Sequence, residues 1–213
     1  MAYSVAVLLS GSGSNLQALI DAEAAGKLGK ARICFVVSDQ AEAYGLQRAL
    51  VHQIASAYLP LPRTRNSTER PAIRAAWEQR LATMIAAFSP DLIVLAGFMR
   101  ILSPRFLDQF PERVINQHPA LLPDDGGSHY TTSSGIQIPA LRGAHVVPDA
   151  LAHGLPLTGC TIHRVTPRVD DGPILARTEV PILPHDSIET LHERIKLEER
   201  RMIVEVVARL SLL

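Results

Sequence analysis

Two polar residues with the chemistry for acyl or proton transfer, Asn116 and His118, stand two positions apart after a short apolar run. Side chains two apart in a strand point to the same side of the sheet, so the run would present both together. An amide donor beside a titratable imidazole can hold a carbonyl oxygen and move a proton. The structural alternative, which these residues leave open, is a histidine whose ring is satisfied within the turn before Pro119.

A glycine-rich turn at residues 10–16, Ser-Gly-Ser-Gly-Ser-Asn-Leu, follows an apolar run and opens a segment of helical period. Backbone N–H groups at the start of a helix attract phosphate, and small residues let the anion approach. Leu16 stands where the dinucleotide fingerprint needs its third glycine, and the Lys-Ser/Thr pair of a Walker motif is missing. A phosphate monoester therefore fits better than NAD or ATP, while a tight strand-to-helix turn is the alternative.

An acidic turn at residues 169–173, Val-Asp-Asp-Gly-Pro, separates two late strand candidates. Such turns are usually solvated. A carboxylate that reached His118 would instead favour the imidazolium and raise the pKa of that histidine. The position of Asp170 relative to His118 decides between the two interpretations.

The elements that must position these residues follow from hydrophobic patterning. Apolar β-branched runs alternate with segments of helical period, and polar residues are interleaved only in the last strands. We predict an α/β, Rossmann-like fold: a mostly parallel twisted sheet with helices on both faces and an antiparallel edge contribution from the C-terminal strands. The predicted strands are residues 4–9, 32–37, 55–59, 92–96, 114–117, 158–164 and 174–180. The predicted helices are residues 15–25, 43–52, 71–88, 105–110, 148–153 and 187–210, and we expect Asp186 to cap the last one.

Composition limits the class of protein. The 213 residues include 21 basic and 21 acidic side chains, and 47% of the chain is hydrophobic. A single domain of this size buries roughly 70% of the surface that its unfolded chain exposes. Because the charges balance, the strong basic field of sequence-independent nucleic-acid binding is missing. We expect one domain over residues 1–213 and no nucleic-acid partner.

Several features favour a cytoplasmic protein with no membrane partner. The first ten residues contain no Lys or Arg and lead straight into the glycine turn, which makes a poor signal peptide. No apolar stretch approaches the ~20 residues that span a bilayer. Cys34 and Cys160 lie in apolar runs, as expected for free thiols in a reducing compartment.

Four motifs occur in a fixed order along the chain. They are Ser-Gly-x-Gly-Ser-Asn-Leu at 10–16, Leu-Ala-Gly-Phe-Met-Arg-Ile-Leu at 95–102, Asn-x-His-Pro-x-Leu-Leu-Pro at 116–123 and Val-Asp-x-Gly-Pro at 169–173. Together they resemble the glycinamide ribonucleotide formyltransferase (phosphoribosylglycinamide formyltransferase) family, which are folate-dependent enzymes of purine biosynthesis. The resemblance runs from the first strand to the end of the chain.

The resemblance implies a reaction and three catalytic roles. An amine of 5-phosphoribosylglycinamide would attack the formyl carbon of 10-formyltetrahydrofolate, a co-substrate, and no metal would be needed. Asn116 would hydrogen-bond the developing oxyanion, and His118 would be the proton donor toward the leaving folate nitrogen. Asp170 would raise the pKa of His118.

The same resemblance implies binding residues for both substrates. Those for the ribonucleotide are Gly13, Ser14, Asn15, Lys196 and Glu199. Those for folate are Arg74, Met99, Arg100, Ile101, Leu102, Asn116, Thr166, Pro167, Arg168, Val169 and Asp170. The alternative for Lys196 and Glu199 is a surface pair on one helix face, and Arg74 could equally be an exposed helix arginine.

Two departures from the family pattern are expected to matter. Asp171 stands where the family usually has glycine, so the turn geometry or the local charge would differ. Residues 124–142, rich in Gly, Ser, Thr and Asp, form a polar loop insertion after His118. We hypothesise that this loop folds over bound nucleotide, and a passive surface excursion is the alternative.

Rival functions come from the same and from different classes. A tRNA formyltransferase would be expected to add a C-terminal domain and basic surface, and a formyl-folate hydrolase an N-terminal regulatory domain; we expect neither here. An inert module that binds a phosphate ligand is the third rival, against which the retention of Asn116, His118 and Asp170 counts. A monomer and a homodimer are both compatible with the sequence.

Overall fold

The computed structural model describes residues 2–213. Its strands are β1 (Tyr3–Leu9), β2 (Ala31–Ser38), β3 (Ser56–Tyr58), β4 (Leu92–Leu95), β5 (Val114–His118), β6 (His129–Thr131), β7 (Gln137–Pro139), β8 (Leu157–Arg164) and β9 (Ile174–Pro181). Its helices are α1 (Ser14–Ala24), α2 (Tyr44–Val51), α3 (Arg70–Ala86), α4 (Pro104–Leu107), α5 (Val146–Ala152) and α6 (Ile188–Leu210). Across this described range, none of the helices is both long and apolar enough to cross a membrane.

The chain divides into two compact units, of which the first contains the described residues up to Val114 and Val207–Leu213. Its strands pair in parallel in the order β3-β2-β1-β4. β4 is buried throughout and β1 is buried from Val5 onward, as expected for apolar parallel strands covered on both faces. This burial explains why these two strands read as continuous apolar runs.

The carboxyl ends of the parallel strands meet at one edge of the first unit. Ser10, directly after β1, donates its backbone N–H to Gly97 O after β4, at 3.0 Å. The Ser10 hydroxyl donates to Asp39 Oδ1 after β2, at 2.6 Å. Ligands of open α/β sheets bind beyond this edge, so the glycine-rich turn stands where such folds place binding residues.

The second unit, Ile115–Val206, is built on antiparallel strands. β8 pairs with β5 on one side and with β9 on the other. In the register of β5 and β8, Asn116 stands opposite His163 and His118 opposite Thr161. Directly opposed residues point to the same face, so these four polar side chains share one face of the unit.

The predicted fold class is confirmed: a mixed α/β fold with a mostly parallel sheet, helices and an antiparallel C-terminal part. Every predicted strand and helix is present, and most ends differ from the prediction by one or two residues. The strands β1 and β4 could be recognised from the sequence because strands buried on both faces form continuous apolar runs, which few loops do.

Residues 124–142, predicted as a loop, contain a β-hairpin instead. β6 and β7 pair antiparallel, with His129 opposite Pro139 and Thr131 opposite Gln137. Gly135, with φ of 82°, lies in the turn between them. The prediction was wrong here because three-residue strands of polar sequence are too short to produce a recognisable alternation.

The start of α6 also differs from the prediction that Asp186 caps it. The Ser187 hydroxyl accepts from Thr190 N at 3.2 Å, and the Thr190 hydroxyl accepts from Ser187 N at 2.9 Å, which is the reciprocal pattern of a capping box. Asp186 instead accepts two hydrogen bonds from Arg194, at 2.7 and 2.8 Å. A forked guanidinium is a stronger partner for a carboxylate than backbone N–H groups at the end of a helix.

One buried hydroxyl fixes the backbone that leaves β5. Thr161 on β8 is fully buried, and its Oγ1 donates to Ala120 O at 2.7 Å and accepts from Leu122 N at 3.1 Å. These two bonds satisfy backbone groups of the segment that follows His118. The direction in which the chain leaves β5 therefore depends on this side chain.

We expect Thr161→Val to lower the free energy of unfolding by about 1–3 kcal/mol, because it leaves a buried N–H and a buried C=O without their partner at nearly constant volume. Urea denaturation followed by circular dichroism measures the change. The matched control is Thr83→Val, which removes an exposed helix hydroxyl that donates to Gln79 O and should change stability by less than about 0.5 kcal/mol. Equal losses in the two variants would contradict the role given to Thr161.

Candidate active site

A buried carboxylate lies between two imidazole rings in the second unit. Asp170 Oδ2 is 3.5 Å from His118 Nδ1, and Asp170 Oδ1 is 3.5 Å from His163 Nε2. The exposed fractions are 9% for Asp170, 3% for His118 and 2% for His163. A carboxylate at this depth requires donors or opposite charge, and both rings and the Gly143 N–H, at 2.9 Å, face it.

Three elements of the second unit bring these groups together. His118 is the last residue of β5, and His163 lies on β8, its antiparallel neighbour. Asp170 belongs to the turn that connects β8 to β9 and has a φ of 51°, in the left-handed region. The acidic turn is therefore not simply solvated, because its first carboxylate points inward to the strand-end histidine.

Both ring nitrogens of His118 face acceptors. Nε2 is 2.8 Å from Leu141 O, and since a carbonyl oxygen only accepts, Nε2 carries a hydrogen. Nδ1 faces the Asp170 carboxylate. A ring with an acceptor on each side is arranged for the doubly protonated imidazolium.

Burial opposes that charge. Desolvation lowers the pKa of His118 below its usual value, and this outweighs the negative charge of Asp170 and the bond to Leu141 O, which raise it. The charges of His163 and Arg142 lower it further. From the sequence, Asp170 is predicted to raise this pKa. Asp170 does act in that direction, but the net pKa is lowered because the depth of the ring was not visible from the sequence.

The pKa of Asp170 lies below its ordinary value even though burial raises it. The hydrogen bond from His163, the charge of His118 and the N–H of Gly143 all favour the carboxylate. Asp170 is therefore ionised at neutral pH and offers a fixed negative charge to the two rings.

His163 is a member of the cluster that the sequence analysis missed. Its Nδ1 is 2.9 Å from Arg164 O and therefore carries a hydrogen, while its Nε2 is 3.3 Å from Asn116 Nδ2. The same Nε2 is also 3.5 Å from Asp170 Oδ1: without a hydrogen it accepts from the Asn116 amide, and with one it donates to the carboxylate. The usable signal was that polar residues alternate in the strand predicted at 158–164, which put His163 on one face with Thr161.

Residues 141–143, at the end of the insertion, were also missed. Leu141 O accepts from His118, Gly143 N donates to the Asp170 side chain, and Arg142 Nε donates to Asp170 O at 3.1 Å. No residue type in this segment pointed to the site, because two of the three contacts are made by backbone groups.

The glycine-rich turn of the first unit has the geometry of an anion-binding helix start. Gly13 is the N-cap residue of α1 with φ of 68°, and a Cβ there would lie 2.6 Å from Gly45 Cα. Glycine is thus required both by the backbone conformation and by this close approach. Asn15 is buried in the first turn, and its Oδ1 has no hydrogen-bond partner within residues 2–213. Arg48 donates to Ser12 O at 2.9 Å and adds positive charge beside the turn.

The segment 99–102 is held beside that turn in the same unit. Met99 N donates to the Ser10 hydroxyl at 2.9 Å, and Arg100 Nε donates to Asp39 Oδ2 at 2.6 Å. Burial raises the pKa of Asp39, but hydrogen bonds from Ser10, Arg100 and Gln40 hold the net pKa below its usual value. Met99 is 66% and Ile101 61% exposed, so two apolar side chains face solvent next to a fixed polar network.

Arg74, for which the sequence left an exposed helix arginine as the alternative, lies against this segment. Its guanidinium bonds Ile101 O and pairs with Glu78 at 3.2 Å on the same helix. Leu102 is buried. The structure therefore brings Arg74 together with residues 99–102.

Lys196 and Glu199 differ in their surroundings on α6. Lys196 Nζ is 2.8 Å from Glu193 Oε1, a surface contact three residues earlier. Glu199 is buried, and its carbonyl oxygen accepts from Gln117 Nε2 at 3.1 Å. Because Gln117 precedes His118, β5 is tied to α6 at Glu199. The alternative of an exposed surface pair does not describe Glu199.

The loop before Asp170 is largely exposed. Pro167, Arg168 and Val169 face solvent, and Thr166 Oγ1 donates to Arg168 O at 3.2 Å. Arg168 also reaches Asp171 Oδ2 at 3.4 Å. In the second unit, the structure thus brings Asn116, His118, Asp170 and the loop 166–169 into one region.

The chain is similar to known proteins over nearly its whole length. Residues 3–207 match the family model described as Formyl transferase. Phosphoribosylglycinamide formyltransferase of Mycobacterium tuberculosis is 44% identical over 205 residues, which cover 96% of this chain and 83% of that protein. The Escherichia coli protein of the same name is 35% identical over 96% of this chain and 85% of its own length.

A crystal structure of glycinamide ribonucleotide transformylase 1 from Symbiobacterium toebii superimposes with a TM-score of 0.82. It is 35% identical, and the match covers 99% of this chain and 88% of that one. The agreement in sequence and in fold extends over nearly the whole chain. The chain therefore belongs to the formyl transferase family, among the phosphoribosylglycinamide formyltransferases.

Proposed function

We propose that this protein transfers the formyl group of 10-formyltetrahydrofolate to the amine of 5-phosphoribosylglycinamide in de novo purine biosynthesis. The observation that carries the proposal is the buried Asp170 carboxylate, 3.5 Å from both His118 and His163, with the Asn116 amide 3.3 Å from His163. Such a set combines a polarised proton donor with an oriented amide donor. Membership of the family supports the choice of substrates.

Asn116 is proposed to stabilise the charge that develops on the formyl oxygen. When the amine nitrogen attacks the formyl carbon, the carbonyl π bond opens and negative charge collects on oxygen. The Asn116 amide has two N–H donors, of which one faces His163 Nε2. The other is free to donate to the oxygen, and a donor fixed before the reaction needs no reorganisation.

His118 is proposed to supply the proton that departure of the folate requires. The bond between the formyl carbon and the folate nitrogen breaks, and that nitrogen takes a proton from the imidazolium. The proton that the attacking amine loses then returns the His118 ring to the imidazolium. The charge of Asp170 stabilises the imidazolium against the desolvation that disfavours it. Net proton count is unchanged, so the reaction needs no external acid or base.

The ribonucleotide phosphate is proposed to bind the turn of the first unit. The first N–H groups of α1 have no partner within the helix, and Gly13 and Ser14 present no bulky side chain to block them. The unpartnered amide oxygen of the buried Asn15 only accepts, so we propose that it takes a hydrogen bond from a hydroxyl group of the ribonucleotide beside the phosphate. Lys196 and Glu199 are proposed to contact the glycinamide portion.

The proposed folate-binding residues come from two parts of the sequence, residues 74–102 and residues 116–170. The exposed apolar side chains of Met99 and Ile101 suit the flat pteridine, since such surface is stabilised by burial. The further proposed contacts are Arg74, Arg100, Leu102, Asn116, Thr166, Pro167, Arg168, Val169 and Asp170. No metal enters the proposed chemistry.

The deciding experiment is to incubate the protein with both substrates and follow the release of tetrahydrofolate. We expect release only when 5-phosphoribosylglycinamide is present. Release without it would identify a formyl-folate hydrolase, and binding of the ribonucleotide without release would identify an inert binding module.

His118→Ala should lower turnover by about 10²–10⁴-fold, the usual contribution of a positioned acid.

Asp170→Asn should lower turnover by about 10²-fold or more and leave the KM of the ribonucleotide nearly unchanged. Removing the negative charge lowers the pKa of His118. Since the reacting form is the imidazolium, the fall of kcat at high pH should move to lower pH. The pH profile of kcat measures this shift, and equal losses in kcat and in affinity would instead indicate a damaged turn.

Asn15→Asp should weaken binding of the ribonucleotide. A carboxylate roughly 4 Å from the phosphate opposes it by about 1–4 kcal/mol, so its KM should rise about tenfold or more. The KM of the formyl-folate, measured in the same assay, is the internal control and should stay within about twofold. An unchanged ribonucleotide KM would place the phosphate elsewhere.

A further inference from the structure

The last two residues of the inserted segment and the residue that follows it contact both catalytic side chains. Leu141 O accepts from His118 Nε2 at 2.8 Å, and Gly143 N donates to Asp170 Oδ2 at 2.9 Å. Between them, Arg142 Nε donates to the backbone oxygen of Asp170 at 3.1 Å. The end of the insertion thus contacts the ring, the carboxylate and the main chain of the cluster.

The Arg142 guanidinium also holds the beginning of the insertion. Its Nη2 donates to Gly126 O at 3.1 Å and to Gly127 O at 2.9 Å. A planar guanidinium can bond several oxygens at once because its N–H groups form a fixed fork. One side chain therefore joins both ends of the segment to Asp170.

The backbone of Asp170 needs such support. Its φ of 51° lies in the left-handed region, which a residue with a Cβ adopts only when its surroundings hold it there. Its carbonyl is bonded by Arg142 and its side chain by Gly143. The first contact comes from the last residue of the insertion and the second from the residue that follows it.

The two departures from the family pattern, Asp171 and the inserted segment, contact each other. Gly126, near the start of the insertion, packs so closely on Asp171 that a Cβ at Gly126 would overlap the Asp171 carboxylate. Gly126 itself has a φ of 68°. The aspartate that replaces the family glycine and the inserted segment are therefore in direct contact.

We propose that the inserted segment positions the catalytic carboxylate: Arg142 is a positioning residue that fixes Asp170 against His118, and the contact between Gly126 and Asp171 seats the segment on the acidic turn. This role rests on the proposed function. This role differs from that of a loop that folds over bound nucleotide, because the hydrogen bonds of Arg142 are made to the turn that contains Asp170.

The outer part of the hairpin is attached separately, which provides controls. Glu179 on β9 accepts from the Tyr130 hydroxyl at 3.1 Å and from Ser133 N and Oγ at 2.6 and 2.7 Å. Arg177 donates to Leu122 O at 2.7 Å and pairs with Asp124. These bonds do not involve Asp170.

The choice of substitution at Arg142 must respect charge. The charged groups that face His118 are Asp170 from the turn before β9, His163 from β8 and Arg142 from the end of the insertion. Removing the positive charge of Arg142 would by itself raise the pKa of His118. Arg142→Lys keeps that charge but cannot bond three carbonyl oxygens in a fixed fork.

We expect Arg142→Lys to lower kcat about tenfold while the KM of each substrate stays within about twofold, because misplacement of a catalytic group acts on the reaction and not on binding. With its partner loosened, His118 should have a lower pKa, so the fall of kcat at high pH should move in the same direction as in Asp170→Asn. The matched control, Arg177→Lys, should leave both kcat and the pH profile unchanged.

A second pair of variants separates contact from backbone strain. Gly126→Ala and Gly135→Ala both place a Cβ at a positive φ, but at Gly135 nothing in the described chain lies within 4 Å of it. Only Gly126→Ala should lower kcat, and Asp171→Gly in the same chain should restore it because the overlapping carboxylate is gone. Equal effects of the two alanines, or no rescue by Asp171→Gly, would overturn the seating contact.

The pKa of His118, measured by NMR titration of its ring nitrogens, tests the inference without substrates. It should be lower in Arg142→Lys than in the natural protein and unchanged in Arg177→Lys. An unaltered pKa together with unaltered kcat in Arg142→Lys overturns the positioning role, even if Gly126→Ala fails to fold. If the natural protein showed no formyl transfer, the proposed function would be refuted, but the titration would still test whether Arg142 positions Asp170.

Discussion

The second unit depends on one constraint: the Asp170 carboxylate is buried and ionised, and must be matched from every side. Two imidazole rings and a backbone N–H supply that match. Burying a carboxylate without such partners is strongly unfavourable, so the register of β5 and β8, which places both rings, is also an electrostatic requirement. The same burial that makes the negative charge effective lowers the pKa of His118. Desolvation and the charge of Asp170 therefore act in opposite directions on the pKa of the proton donor, and desolvation is the larger of the two.

The inserted segment contacts the catalytic cluster and is therefore more than a surface loop. Arg142, at its end, donates both to Gly127 O near its beginning and to the backbone oxygen of Asp170. The strands of its hairpin are attached to β9. A left-handed backbone at Asp170 persists because neighbours hold both its carbonyl and its side chain. The first unit uses another device, in which Ser10, Asp39 and Arg100 form one network at the ends of parallel strands.

Much of the fold and part of the site could be predicted from the sequence. β4 and the part of β1 from Val5 onward are buried and apolar at every position. Asn116 and His118 lie on one face of β5, as their spacing predicted, because side chains in a strand alternate between its two faces. The hairpin could not be predicted, since its strands are three polar residues each. His163 was hidden because its role depends on cross-strand register, and Leu141 and Gly143 because they act through backbone groups that any residue type carries. The lowered pKa of His118 reflects depth, which a sequence does not state.

The turn at Gly135 has a consequence for how this chain can change. Arg142, at the end of the insertion, bonds Gly126 O and Gly127 O near its beginning, and a Cβ at Gly135 would have no atom of the described chain within 4 Å. Lengthening a loop whose ends are already held together costs little additional entropy. Residues can therefore be inserted at Gly135, including a label or an affinity tag, while the bonds of Arg142 and those of Ser133 to Glu179 keep their geometry. Sequence drift among close relatives would be expected to concentrate there.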